Sequence, residues 1–193
     1  MNKLIVLIIS LALFSSCKPK YENPHVIINT SMGDIELELF PDKAPKTVAA
    51  FLSYVDSGYY KNCAFYRVIK ADQLPNDFNT GIIQGGIYRS HSDMVGKVKP
   101  IPHESTKQTG LSHVDGTVSF ASLGAGTATT EFFICIGDQS PLDYGRSGST
   151  DGQGFAAFGT VVKGMKVVRK IQSQNSYGEM FERKIDILSI ERL

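Results

Sequence analysis

Four histidines, three cysteines and one glycine-rich run are the residues of this 193-residue chain whose types could support covalent, metal or phosphate chemistry. None stands in a spacing that does so. A hydrolytic site needs a nucleophile, a base and a group that orients the base, and His25, His91, His103 and His113 fall in no pattern that supplies all three. His91 and Asp93 are close, but two ligands in a polar stretch are short of the three or four a metal centre takes. Gly124-Ala125-Gly126-Thr127 lacks the Lys-Ser/Thr ending of a phosphate-binding loop. No cysteines have CxxC spacing, so neither zinc nor a redox motif is indicated, and no metal or cofactor is expected. Cys135, inside Phe132-Phe133-Ile134-Cys135-Ile136, reads as a small core residue, and whether it pairs with Cys63 stays open. What is left is a set of aromatic and aliphatic side chains around one arginine and one glutamine.

Those residues must be positioned by a fold, and composition narrows which. The chain is 42% hydrophobic, 10% aromatic and 20% charged, the range of one ordinary globular domain. Lys plus Arg number 20 against 19 acids, so no basic field exists for a nucleic acid, and none is expected as a partner. Lys3 precedes an apolar run from Leu4 to Phe14 that is broken only by Ser10 and is too short to span a bilayer. Leu13-Phe14-Ser15-Ser16-Cys17 then resembles the lipobox at which bacterial lipoproteins are cleaved and acylated. The expectation is a leader over 1–16, a lipid on Cys17 that attaches the protein to a membrane, a tether over 17–23 and one monomeric domain over 24–193. An ordinary secretory signal or an uncleaved anchor are the other readings. All three put the body in the cell envelope, facing the periplasm or the exterior.

Within the body, Val26 to Asn29 and Ile35 to Leu39 read as a hairpin, the second strand alternating apolar and acidic residues. Pro45 opens a helix to about residue 57, with Val48, Phe51, Leu52 and Val55 on one stripe. Strands are expected over 65–69, 82–84, 117–121, 132–136, 155–162 and 185–190, with a second helix over 165–172. Many short strands with two helices and no regular alternation argue for an antiparallel barrel or sandwich. Segments 70–81, 88–113 and 137–154 exceed ordinary connections. The last, rich in glycine, reads as a mobile gate or a plain insertion.

Five segments carry the residues left from the first survey: Phe65-Tyr66-Arg67-Val68-Ile69, Gly81-Ile82-Ile83-Gln84-Gly85-Gly86, Val118-Ser119-Phe120-Ala121-Ser122, Thr130-Glu131-Phe132-Phe133-Ile134 and Phe155-Ala156-Ala157-Phe158-Gly159. In this order and spacing they resemble the cyclophilin family of peptidyl-prolyl cis/trans isomerases, from His25 to the C-terminus. The resemblance implies a mainly β fold, a closed eight-stranded antiparallel β-barrel capped by two α-helices, with its site on the outer face. It implies proline-containing polypeptides as substrates. It implies catalytic roles for Arg67, Gln84 and Phe133, and substrate binding by Phe65, Ile82, Ala121, Ser122, Glu131, Leu142 and Phe155. Rotation about an Xaa-Pro bond breaks amide resonance but no covalent bond. The lack of a nucleophile or metal is therefore consistent with it.

The chain departs from the family pattern at several positions. Gly81 stands where an aromatic is usual, and Asp72 to Thr80 is longer than the usual turn. Phe155 replaces a frequent histidine, and Glu131 replaces a glutamine, which puts a negative charge near Arg67. Pro141 replaces a tryptophan linked to tight cyclosporin binding, which implies weak sensitivity. Two readings follow: an enzyme, favoured by Arg67 with Gln84 and Phe133, and a proline-peptide binder or chaperone without turnover. A redox protein using Cys63 and Cys135 is a weaker third.

Overall fold

The computed structural model describes residues 21–71 and 79–193. The expected leader 1–16, Cys17, the start of the tether and Asp72–Phe78 lie outside the described residues. The strands are β1 (His25–Thr30), β2 (Gly33–Leu39), β3 (Cys63–Lys70), β4 (Gly81–Gly86), β5 (Thr117–Phe120), β6 (Phe132–Ile136), β7 (Ala156–Lys163), β8 (Ser176–Tyr177) and β9 (Met180–Arg192). They run antiparallel in the order β1-β2-β7-β5-β6-β4-β3-β9, and β9 pairs back onto β1. Eight strands thus close a barrel and leave it no open edge. The two-residue β8 pairs only with β9 as a hairpin outside the closed ring, too short to show any period in the sequence.

Alternation along each strand divides the side chains between the two faces. Ile28, Ile35, Leu37, Ile83, Val118, Phe120, Phe132, Ile134 and Phe158 are fully buried in the lumen. Helix α1 (Pro45–Asp56) plugs this core with Val48, Phe51, Leu52 and Val55. The Phe51 ring lies 4.9 Å from Phe158, 5.4 Å from Tyr60 and 5.8 Å from Phe132 between centroids. No side chain of its own caps α1. The Glu104 carboxylate accepts from the Thr47 N–H at 2.8 Å and the Thr47 hydroxyl at 2.7 Å, setting negative charge at the positive end of the helix.

Among the described residues, three α-helices are present rather than the two expected. Helix α3 (Met165–Gln172) buries Val168, Ile171 and Gln172 and packs against β2, β3, β4 and β6. The unforeseen α2 (Thr106–Thr109) is a single turn, too short for periodicity to reveal. Its signals were local: the Ser105 N–H donates to Gln108 Oε1 at 2.9 Å, and Gly110 follows at φ 69°.

Gly81, one of the departures expected from the resemblance, occupies a position where the backbone demands glycine. It opens β4 at φ 134°, and a Cβ there would lie 2.0 Å from the Ile69 carbonyl oxygen of β3. No side chain fits while the two strands stay paired. Gly81→Ala should cost about 1 to 3 kcal/mol, seen as a lower urea midpoint at unchanged slope. A midpoint equal to the wild type would mean that the β3–β4 pair relaxes freely.

Candidate active site

The outer face of β5, β6, β4 and β3 carries one transverse row of residues, set by strand register. Ser119 is opposite Phe133, Phe133 opposite Gln84, and Gln84 opposite Arg67. On β3, Phe65 pairs with Gly85 and Arg67 with Gln84, so Tyr66 is one extra residue, a β-bulge. Beyond it the inside-outside alternation is reset. Phe65 points into the lumen and packs edge-on against Phe132 at 5.8 Å, Tyr66 and Arg67 both face out, and Val68 points inward again.

This corrects the expectation for Phe65. Strict alternation would set it on the face of Arg67, but the bulge puts it in the core, fully buried and away from the cleft. The other expected residues, Arg67, Gln84, Phe133, Ile82, Ala121, Ser122, Glu131, Leu142 and Phe155, all line one cleft of about 600 Å³. Ile82 and Phe133 form its buried floor and cluster with the fully buried Cys135, with Ile69, Ala121, Leu142 and Phe155 packed around them. Phe155 meets Phe133 edge to face at 5.5 Å. The result is a rigid apolar seat beside one guanidinium. A polar groove of about 690 Å³ lies beyond it, lined by Lys70, Asn175, Ser176, Gly178, Glu179 and Glu182 among others, and lacks that aromatic floor.

Arg67 is held by a directed chain of hydrogen bonds. Its Nη1 donates to Gln84 Oε1 at 2.8 Å, Gln84 Nε2 donates to the Tyr66 hydroxyl at 3.0 Å, and that hydroxyl donates to Glu131 Oε2 at 2.7 Å. Glu131 Oε1 also accepts from the Tyr88 N–H at 3.1 Å. A carboxylate at the end of the chain can only accept, so it fixes the direction of every donor before it. The negative charge expected beside Arg67 comes instead from Glu179, in the β8–β9 hairpin, whose Oε2 accepts from Nη2 at 2.6 Å and Nε at 2.9 Å. Glu131 acts on Arg67 through two intervening side chains. Tyr66 and Glu179 carried no sequence signal as site residues: one depends on the bulge, and the other is 112 positions from Arg67.

Behind the floor sits a second unforeseen group. His113, fully buried, stacks on Phe133 at 5.9 Å; its Nδ1 lies 2.6 Å from Asp143 Oδ1 and its Nε2 3.1 Å from Ser119 Oγ. Burial draws its pKa below the ordinary imidazole range, while the Asp143 carboxylate pulls upward. The neutral ring donates through Nδ1 and accepts from Ser119 through Nε2. Ser, His and Asp thus stand in the order of a hydrolytic triad, but Ser119 is fully buried and cannot meet a substrate. The group instead fixes the segment bearing Leu142 against the floor.

The segment 137–154 is held at several points rather than free. Gly148 N–H donates to Pro141 O at 2.8 Å, Tyr144 N–H to Thr106 Oγ1 at 2.9 Å, and Phe155 N–H to Leu142 O at 3.1 Å. Both described cysteines are free thiols in different clusters, Cys63 in the lumen and Cys135 packed with Ile82 and Phe133 of the cleft floor. Burial pushes the Cys63 thiol up to about 12 and Cys135 well upward, which suppresses thiolate chemistry. Among the described residues, no group of three or more His, Cys, Asp or Glu could hold a metal.

The sequence model of the family described as "Cyclophilin type peptidyl-prolyl cis-trans isomerase/CLD" matches residues 25–192. Peptidyl-prolyl cis-trans isomerase A of Dickeya dadantii is 38% identical over 168 residues, spanning 86% of this chain and 80% of its own. Peptidyl-prolyl cis-trans isomerase B of Escherichia coli is 37% identical over 148 residues, spanning 76% and 83%. The crystal structure of a cyclophilin-type peptidyl-prolyl cis-trans isomerase from Cryptosporidium parvum superposes with a TM-score of 0.70 at 26% identity, covering 89% of this chain and 98% of that one.

Glu131 gives this site a pH signature. Burial raises its carboxyl pKa above 4.5, although Tyr66, Tyr88 and Thr130 donate to it and pull the other way. The folded state then holds this proton more tightly than the unfolded chain, so stability falls as pH rises from the ordinary carboxyl value through the raised one. Glu131→Gln should remove that component: the wild-type-minus-variant difference in melting temperature should decline across this window and level off above it. A difference independent of pH would place the proton elsewhere.

Proposed function

We propose that this chain, which belongs to the cyclophilin-type peptidyl-prolyl cis-trans isomerase family, accelerates rotation about Xaa-Pro bonds of exported polypeptides at the cell envelope, to which a lipid on Cys17 ties it. The observation that carries the catalytic part is Arg67 fixed beside the apolar seat of Ile82, Phe133, Leu142 and Phe155. Envelope attachment is supported by the leader-like 1–16 and the lipobox-like Leu13 to Cys17. No described helix is long and apolar enough to cross a membrane.

The chemistry asks little more. An amide rotates over a barrier of roughly 20 kcal/mol because its nitrogen lone pair is shared with the carbonyl. A site lowers that barrier by binding the twisted amide, whose prolyl nitrogen has regained its lone pair, better than either planar isomer. The seat holds the pyrrolidine ring by apolar contact while Arg67 donates to the amide. A guanidinium has five N–H groups. With two given to Glu179 and one to Gln84, one on each Nη remains for substrate. Ala121 and Ser122, both half-buried, lie at the cleft wall, where an extended peptide could pair.

Line-shape or exchange NMR on an Xaa-Pro peptide tests this directly. Arg67→Ala should lower kcat/KM by about a hundredfold or more, the scale for losing one charge-directed donor, while weakening peptide binding far less. Turnover that survives intact in Arg67→Ala would remove Arg67 from the mechanism. Shifted peptide resonances without acceleration by the wild type would instead favour a binder on the same fold. For attachment, Cys17→Ser should move the protein from the membrane fraction to the soluble one. Persistence in the membrane fraction would exclude the lipid on Cys17 as the anchor.

A further inference from the structure

We propose that a small apolar subsite at the end of the cleft takes an aliphatic side chain from a substrate residue within three positions of the proline. The proposal rests on the isomerase reading and extends it to substrate selection.

The subsite has a volume of about 180 Å³ and lies between Ser122–Gly124 on one side and Gly148–Asp151 on the other. Ser122, Leu123, Gly148 and Phe155 line both it and the main cleft, so a peptide seated in one reaches the other. Leu123 forms one lip and is 95% exposed, an apolar side chain with nothing over it. Its loop is not slack. Leu123 N–H donates to Thr127 Oγ1 at 2.9 Å, and the Thr127 hydroxyl donates to Gly124 O at 2.8 Å. Fixing a leucine outward at a cleft rim leaves its apolar surface in water until something covers it.

The opposite wall is equally built. Asp151 Oδ2 accepts from the Ala125 N–H at 2.7 Å, which ties the two walls together, and Oδ1 accepts from the Gln153 N–H at 2.9 Å. These backbone donors hold its carboxyl below the usual carboxylate range, so both oxygens are already engaged and the wall is not a bare anion seeking a cation. A Cβ on Gly148 would lie 2.5 Å from Pro141 O and 2.9 Å from Leu142 Cδ2, so glycine is what lets this wall lie close against the segment bearing Leu142. The volume matches about six waters or one branched aliphatic side chain. A carboxylate entering it would face Asp151, and glycine or alanine would leave it wet.

The test uses the full chain and Xaa-Pro peptides in which Leu, Ala, Lys or Glu occupies each of the three positions on either side of the proline. At one position Leu should exceed Ala in kcat/KM by about tenfold, the scale for filling a small apolar pocket, with Glu below Ala. Leu123→Ala, which removes the lip, and Thr150→Phe, which fills the space, should each bring the Leu-to-Ala ratio towards one. The absolute rate on the all-alanine peptide reports the isomerase reading separately. If that peptide is not turned over, the same ratios are read as affinities from chemical-shift titration. A flat response to Leu at every position, a Leu preference that survives in both variants, or a stronger preference for Lys would each overturn the proposal.

Discussion

Because Tyr66 is the one unpaired residue between the Phe65–Gly85 and Arg67–Gln84 pairs, β3 shows two successive side chains to the outside of the barrel. The rest of the site depends on that bulge. Without it either Arg67 would point into an apolar lumen, at the cost of burying a charge, or Phe65 would leave the core and open a gap beside Phe132. With it, the lumen keeps Phe65, and the outer face gains a tyrosine and an arginine side by side. The tyrosine links Gln84 to Glu131, and the arginine takes the other end of Gln84. Closure of the barrel makes the arrangement stiff, since every strand of the row is paired on both sides and cannot slip without turning its neighbours inside out.

The electrostatic design follows from where the two carboxylates stand. Glu131 is tied to Tyr66, Tyr88 and Thr130 and does not touch Arg67; its charge sets the direction of the relay. Glu179 touches the guanidinium, but both partners are substantially exposed, at 35% and 56%, so water and salt weaken the pair. Arg67 is thereby steadied from two sides without being neutralised in a dry pocket. A donor with freedom to point anywhere would lose entropy each time it met a twisted amide, whereas one already aimed loses little.

Much of this was legible in the sequence, for identifiable reasons. Phe132 and Phe133 sit side by side in a strand, so one must face the lumen and the other the outside, and the residues around them fix which. Helix α1 announced itself by Pro45 and a four-residue apolar stripe. Gln84 and Ile82 share a face by simple alternation. What was hidden depends on contacts that period and spacing do not encode. The bulge at Tyr66 is a register event between two strands, Glu179 reaches Arg67 across the β8–β9 hairpin, and His113 finds Asp143 thirty positions away. A single-turn helix such as α2 leaves only its cap residues to read.

Glycine content alone reads as mobility in 137–154, yet the geometry argues for a fixed wall. Four of its features act together: the His113–Asp143 contact, the Gly148–Pro141 backbone bond, the Tyr144–Thr106 bond and the Asp151–Ala125 tie to the opposite loop. Gly154, at φ 69°, would set a Cβ 2.7 Å from the Leu142 carbonyl oxygen, so glycine there permits close approach and a left-handed turn rather than slackness. A rigid wall suits a reaction in which nothing is bonded or released. In the mechanism proposed above the substrate rotates one bond inside the seat, and a wall that followed it would hold both planar isomers as well as the twisted state and so lose the difference that lowers the barrier.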